Sequence, residues 1–93
     1  MIRSFRDNAT EAVYHGGCPK GFPANICKVA RRKLRMLEAA ADLRDLRAPP
    51  NNRLHALRHD REGQYAIAIN DQYRICFEWR EGDAYNVEIT DYH

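Results

Sequence analysis

Between positions 53 and 61 the chain reads Arg53-Leu54-His55-Ala56-Leu57-Arg58-His59-Asp60-Arg61, so two imidazoles and three guanidinium groups fall close together. Arg74 follows in a run of alternating polar and apolar residues, and the sequence closes on Asp91-Tyr92-His93. Imidazole exchanges protons near neutrality because its unperturbed pKa is about 6.5. A guanidinium stays charged, and its planar fork can grip two oxygens of one phosphate. A tyrosine ring can stack on an unpaired base while its hydroxyl reaches a ribose or phosphate oxygen. These are the groups needed to cut an RNA strand without a metal. The 2′-hydroxyl must lose a proton, the charge building on the phosphorus oxygens must be neutralised, and the departing 5′-oxygen must gain a proton. Histidine beside arginine is common in ordinary proteins, so composition alone does not choose this chemistry over a solvated charged surface.

Such residues act together only if rigid elements hold them. From Ala24, apolar Ile26, Val29, Ala30, Leu34, Leu37 and Ala40 or Ala41 recur every three or four positions, which predicts one long amphipathic helix. Lys28, Arg31, Arg32, Arg35 and Glu38 then face water. Before it, Ile2 to Phe5 alternates like a short strand. Asn8 or Thr10 caps a brief helix through Tyr14, and Gly16-Gly17 ends it. Ala48-Pro49-Pro50-Asn51-Asn52 breaks the chain. Beyond the prolines the period switches to two: Leu54 to Leu57 is a possible short strand, and Tyr65-Ile67-Ile69, Ile75-Phe77-Trp79 and Tyr85-Val87-Ile89 predict three longer ones joined by tight turns. The expected architecture is α+β, an N-terminal short strand and two helices on one face of a small, mainly antiparallel sheet. Arg74, Cys76 and Glu78, with Asn86, Glu88, Thr90 and Tyr92, belong to the other face. Trp79 and Phe77 read as core, His15 as surface, and Asp60-Arg61 as a structural turn with an ion pair.

The totals set limits. Ninety-three residues suffice for a single domain, 1–93, with a modest core drawn from 44% hydrophobic residues. A net charge of +2 does not by itself point to nucleic acid, but the local clusters do more: Lys28, Arg31, Arg32, Lys33 and Arg35 form one, and residues 53–61 another. Three cysteines, Cys18, Cys27 and Cys76, without tight spacing do not read as a disulfide framework or a zinc site; Cys27 and Cys76 read as small core residues. No cofactor or metal is expected. The N-terminus turns polar too soon for a signal peptide, and no apolar run reaches the ~18 residues of a membrane span, so a soluble, cytoplasmic protein is expected.

Larger blocks then carry a resemblance. Pro49 through Leu57, Asp60-Arg61-Glu62-Gly63-Gln64-Tyr65-Ala66-Ile67, Asn70-Asp71-Gln72-Tyr73-Arg74-Ile75-Cys76-Phe77 and Val87-Glu88-Ile89-Thr90-Asp91-Tyr92-His93 resemble, in order and spacing, the HigB (host inhibition of growth) toxins of the RelE/ParE superfamily. Met1 to Phe5 and Val29 to Leu34 resemble them too. The resemblance implies a RelE-like fold and a metal-independent endoribonuclease that cuts mRNA during translation, at the 30S A site of the ribosome. It also implies a HigA-type helix-turn-helix antitoxin, through which alone operator DNA is engaged, and no membrane. It places His55 or His93 in proton transfer, Tyr92 in orienting the nucleotide, Arg58 and Arg74 in charge stabilisation, and Asp91 beside them. Arg53, His59 and Arg61 are expected to touch substrate, and Arg31, Arg32, Lys33 and Arg35 to face ribosomal RNA. Two departures stand out: His59 replaces a common glycine, and Tyr73 a frequent tryptophan. A ParE-like toxin directed at gyrase, or a catalytically silent antitoxin-binding module, is the alternative. The silent module predicts that Arg58, Arg74, Tyr92 and His93 do not share a pocket.

Overall fold

The first helix, α1 (Asn8–Tyr14), is capped by Asp7 rather than by Asn8 or Thr10: the Asp7 carboxylate accepts the Thr10 N–H at 2.7 Å. That bond satisfies one of the donors a helix start leaves open. The computed structural model describes residues 1–91, apart from the side chain of His59; Tyr92 and His93 lie outside the described residues. The long helix, α2 (Ala24–Ala39), follows Pro23 and buries Ile26, Cys27, Ala30, Leu34 and Leu37 along one stripe. A 3-10 turn, Leu43–Arg47, begins with a capping box in which Asp42 and Asp45 serve each other's backbone. Among the described residues no helix is long and apolar enough to cross a membrane.

The strands are β1 (His55–Ala56), β2 (Gln64–Ala68), β3 (Tyr73–Arg80) and β4 (Asp83–Asp91), an antiparallel meander in the order β1-β2-β3-β4. Asn70 closes the β2–β3 turn by accepting the N–H groups of Gln72 and Tyr73 at 2.8 and 2.7 Å. Glu81 and Gly82 turn β3 into β4 with φ of 51° and 82°, the left-handed pair that a two-residue hairpin loop requires. The expected strand at Ile2–Phe5 is reduced to two isolated parallel bridges, Ile2 to Ala84 and Phe5 to Val87. Helix α2 and the apolar face, with Ile67, Ile75 and Phe77 fully buried, form the core. Each such side chain contributes about 1.5–3 kcal/mol over its exposed state.

Three readings need correction. Strict alternation put Tyr85 on the core face, but a bulge lets Asn86, at φ 52°, and Val87 together face Phe77. The extra residue shifts the register, so Ala84 enters the core with Val87 and Ile89, while Tyr85 lies under the Arg80 guanidinium at 4.1 Å. On the opposite face Ala66 and Cys76 are fully buried, and the 3-10 turn His59–Arg61 sends Arg61 to Glu88 in the same row as Cys76.

Cys18 and Cys27 are joined as a disulfide, with Cα atoms 5.7 Å apart. The proline- and glycine-bearing loop between them doubles back onto the start of α2, a tertiary closure that no local spacing announces. Lys33, expected to face ribosomal RNA, is instead buried: it is 1% exposed, and its Nζ donates to the Ala68 carbonyl at 2.6 Å. The alternate β2 carbonyls point toward β1, as Gln64 shows by accepting from Leu57, but β1 is too short to reach Ala68. The lysine completes that edge. Burial, followed by Arg32 and Arg53 nearby, pulls the Lys33 pKa below its usual 10.5.

Candidate active site

Strand register assembles the site. His55 pairs with Ala66, Ala66 with Cys76 and Cys76 with Glu88; the neighbouring row runs Ala68, Arg74, Thr90. Side chains in both rows point away from α2, because successive residues of a strand face opposite sides. The loop ahead of β1 is pinned from below by Asn52, which is fully buried and donates its amide to the carbonyls of Leu46 and Ala48 at 3.1 and 3.3 Å. Composition gave no reason to single out Asn52 among several loop asparagines. Arg53 then takes a left-handed conformation, φ 48° and ψ 48°, and the chain enters β1.

Two cavities open on this face, of about 210 and about 420 Å³, and His55 and Arg74 line both. Arg53 and Asp71 border the first, linked at 3.2 Å. Arg58, Asp60 and Arg61 border the second. The two cavities therefore gather four arginines and one histidine against two aspartates. A phosphodiester needs such a balance, since its negative charge grows as the phosphorus gains a fifth ligand. Among the described residues, no three His, Cys, Asp or Glu side chains come together as a metal-ligand set.

Beneath Arg61 lies Glu88, only 8% exposed, which accepts from Arg61 at 3.0 Å and Thr90 at 3.0 Å and pairs with Arg6 at 2.8 Å. The hydrogen bond that Arg61 donates to Glu88 lifts the Arg61 pKa above its ordinary value, so this guanidinium is firmly charged. Arg61 is thus both the strut holding the 58–61 turn on the sheet and a wall of the second cavity. The ion pair expected within Asp60-Arg61 is made instead with Glu88.

Of the residues singled out in the sequence, His55, Arg58, Arg74, Arg53 and Arg61 converge. Asp91 does not. It pairs in register with Tyr73, on the α2 side of the sheet, lines neither cavity and accepts from the Gln72 amide at 3.3 Å. The side chain of His59, and all of Tyr92 and His93, lie outside the described residues. The α2 cations stand behind the sheet: Arg32 and Arg35 are exposed, Lys33 is buried, and Arg31 donates to the carbonyls of Val13 and Gly17, both at 2.8 Å. Lys33 and Arg31 thus tie elements of the fold together.

Comparison with known proteins agrees with this architecture. Residues 3–93 match the family model described as the RelE-like toxin of type II toxin–antitoxin system HigB. The chain is 31% identical to the Endoribonuclease HigB of Proteus vulgaris over 93 residues, covering all of both chains. It is 37% identical to Toxin HigB-1 of Vibrio cholerae serotype O1 over 90 residues, 96% of this chain and 95% of that one. With two helices on a four-stranded antiparallel meander, and a family match that runs almost from end to end, the chain belongs to the HigB-like toxins of type II toxin–antitoxin systems.

Proposed function

We propose that the chain is a metal-independent endoribonuclease that cuts mRNA, most effectively on the translating ribosome, and so halts growth. The observation that carries this reading is the pair of adjoining cavities sharing His55 and Arg74, with Arg53, Arg58 and Arg61 around them. The Proteus relative, named an endoribonuclease, supports it. In this reading His55 removes the 2′-hydroxyl proton and the 2′-oxygen bonds to phosphorus. The bond from phosphorus to the 5′-oxygen breaks, leaving a 2′,3′-cyclic phosphate and a 5′-hydroxyl. Arg58 and Arg74 neutralise the phosphoryl oxygens at their most charged. The C-terminal pair, Tyr92 and His93, orients the nucleotide and returns a proton to the leaving oxygen, with Asp91 as a neighbour that aligns the strand end. Arg53, Arg61 and His59 contact the flanking backbone.

Membership in a type II family implies an antitoxin partner. We assign it to the HigA type, a helix-turn-helix protein that alone contacts operator DNA. Arg32 and Arg35, exposed on α2, are the residues we assign to ribosomal RNA at the 30S A site; their neutralisation should weaken ribosome binding and flatten its dependence on salt. No membrane has a part in this scheme.

Product chemistry tests the reaction. Cleavage of a message on the translating ribosome, with both new ends analysed, should yield 5′-hydroxyl and 2′,3′-cyclic phosphate termini, and the slower cleavage of ribosome-free RNA should persist in EDTA. Ends bearing 5′-phosphate, or activity abolished by EDTA on a ribosome-free RNA, contradict it. Induction of the wild type should arrest growth with internal mRNA cuts, and a folded Tyr92→Ala, His93→Ala double variant should do neither.

A further inference from the structure

We propose that Arg53 is a positioning residue: its backbone carbonyl fixes His55 in the tautomer whose Nε2 is open to receive a proton. The inference rests on the reading of His55 as the base. His55 Nδ1 lies 2.9 Å from the Arg53 carbonyl oxygen. A carbonyl oxygen can only accept, so Nδ1 carries the hydrogen, and the neutral ring keeps its lone pair on Nε2. Without such a contact, either nitrogen of a neutral imidazole can hold the proton, and the population with the wrong one protonated cannot act as the base.

The carbonyl is aimed by backbone, and the backbone is held from three sides. At φ 48° and ψ 48°, Arg53 occupies the left-handed region that residues other than glycine seldom enter. Its N–H donates to the Pro50 carbonyl at 3.1 Å, closing the 3-10 turn Pro50–Asn52. Its neighbour Asn52 is bolted to Leu46 and Ala48 in the interior. Its guanidinium reaches Asp71 at 3.2 Å, across the smaller cavity. A sparsely populated conformation persists when its surroundings over-determine it, and such residues gather at functional sites. His55 is exposed, so its bond to Arg53 fills no gap in the core. What the bond changes is the placement of the ring proton, on a side chain that lines both cavities beside Arg74.

Nitrogen-15 NMR of the full-length chain, at a pH where imidazole is neutral, reads the tautomer directly. His55 Nδ1 should resonate in the protonated, pyrrole-like range and Nε2 in the bare, pyridine-like range. The reverse pattern overturns the proposal, with no variant required. Arg53→Asn removes the guanidinium but tolerates the left-handed backbone, so it should keep the wild-type nitrogen pattern whatever it costs in RNA binding; a shift to the Nε2-protonated form overturns the proposal. Arg53→Val resists that backbone; it should move His55 toward the Nε2-protonated form and lower kcat for RNA cleavage by about tenfold or more. A folded Arg53→Val with unchanged nitrogen pattern and kcat overturns the proposal. Failure of the underlying reading looks different: the expected pattern in a protein that leaves RNA intact removes the base and its positioner together. A cleaving enzyme with the reversed pattern removes only the role of Arg53.

Discussion

Two stretches look alike on paper: residues 28–35 carry five cations, and residues 53–61 carry three arginines and two histidines. In the fold they lie on opposite sides of the sheet and do different work. On α2 the helical period sends each cation somewhere else, so Lys33 goes inward to the Ala68 edge, Arg31 ties α2 to the end of α1, and Arg32 and Arg35 meet solvent. Around β1 the short strand and the 3-10 turn send theirs to one place, where Arg58, Arg61 and His55 meet Arg74 arriving from β3. A run of like charge is therefore no measure of a site. What counts is whether the backbone makes the charges converge, and a helix of 3.6 residues per turn spreads them.

Substitutions can break or sharpen this contrast. A large effect is expected at Arg74→Ala, which should lower RNA cleavage about 10²–10³-fold, as loss of a charge-stabilising donor does. Thermal unfolding should shift little; an unfolded variant would assign Arg74 to the scaffold instead. Lys33→Ala should do the opposite, costing about 2–4 kcal/mol in urea unfolding, since it opens a cavity and orphans the Ala68 carbonyl. Cleavage by the fraction still folded should be kept. The same residue has a signature in pH. Its folded pKa lies below the 10.5 of the unfolded chain, so between the two values the unfolded state binds more protons. Stability attributable to Lys33 therefore rises with pH across that window, and Lys33→Met should lack this rise. Arg31→Ala, which removes two partly exposed hydrogen bonds from a charged group, should cost about 1 kcal/mol. Smallest of all, Arg32→Ala and Arg35→Ala should each stay within about 0.5 kcal/mol of wild type. A larger loss from either would mean that solvent-facing α2 cations share the structural duty of Lys33.

Much of this was legible in the residues themselves. The three-and-four spacing of Ile26, Ala30, Leu34 and Leu37 marks α2, and the period of two marks β2 and β3, because burial on one face imposes those repeats. His55, Arg58 and Arg74 could be picked out by type and by family resemblance. The failures share a cause: each depends on a contact between distant segments. The Tyr85 error came from the bulge at Asn86, which breaks alternation. The burial of Lys33 follows from β1 stopping two residues in, and the Cys18–Cys27 bond from a loop folding back on α2. Glu88 looked like an ordinary polar position until Arg6, from the other end of the sequence, and Arg61 closed on it. Asp91 sits beside the expected Tyr92 and His93 in sequence, yet strand alternation turns it to the α2 side, away from Thr90 and Arg74.

The most direct measurement of the central claim is the cleavage rate of a translated message by wild type and by His55→Ala, compared at equal folded fraction. If the cavities shared by His55 and Arg74 carry the reaction, the variant should cut about 10²–10⁴-fold more slowly while its melting curve overlays that of the wild type. Equal rates with an intact fold would contradict the account and move the chemistry away from this face of the sheet.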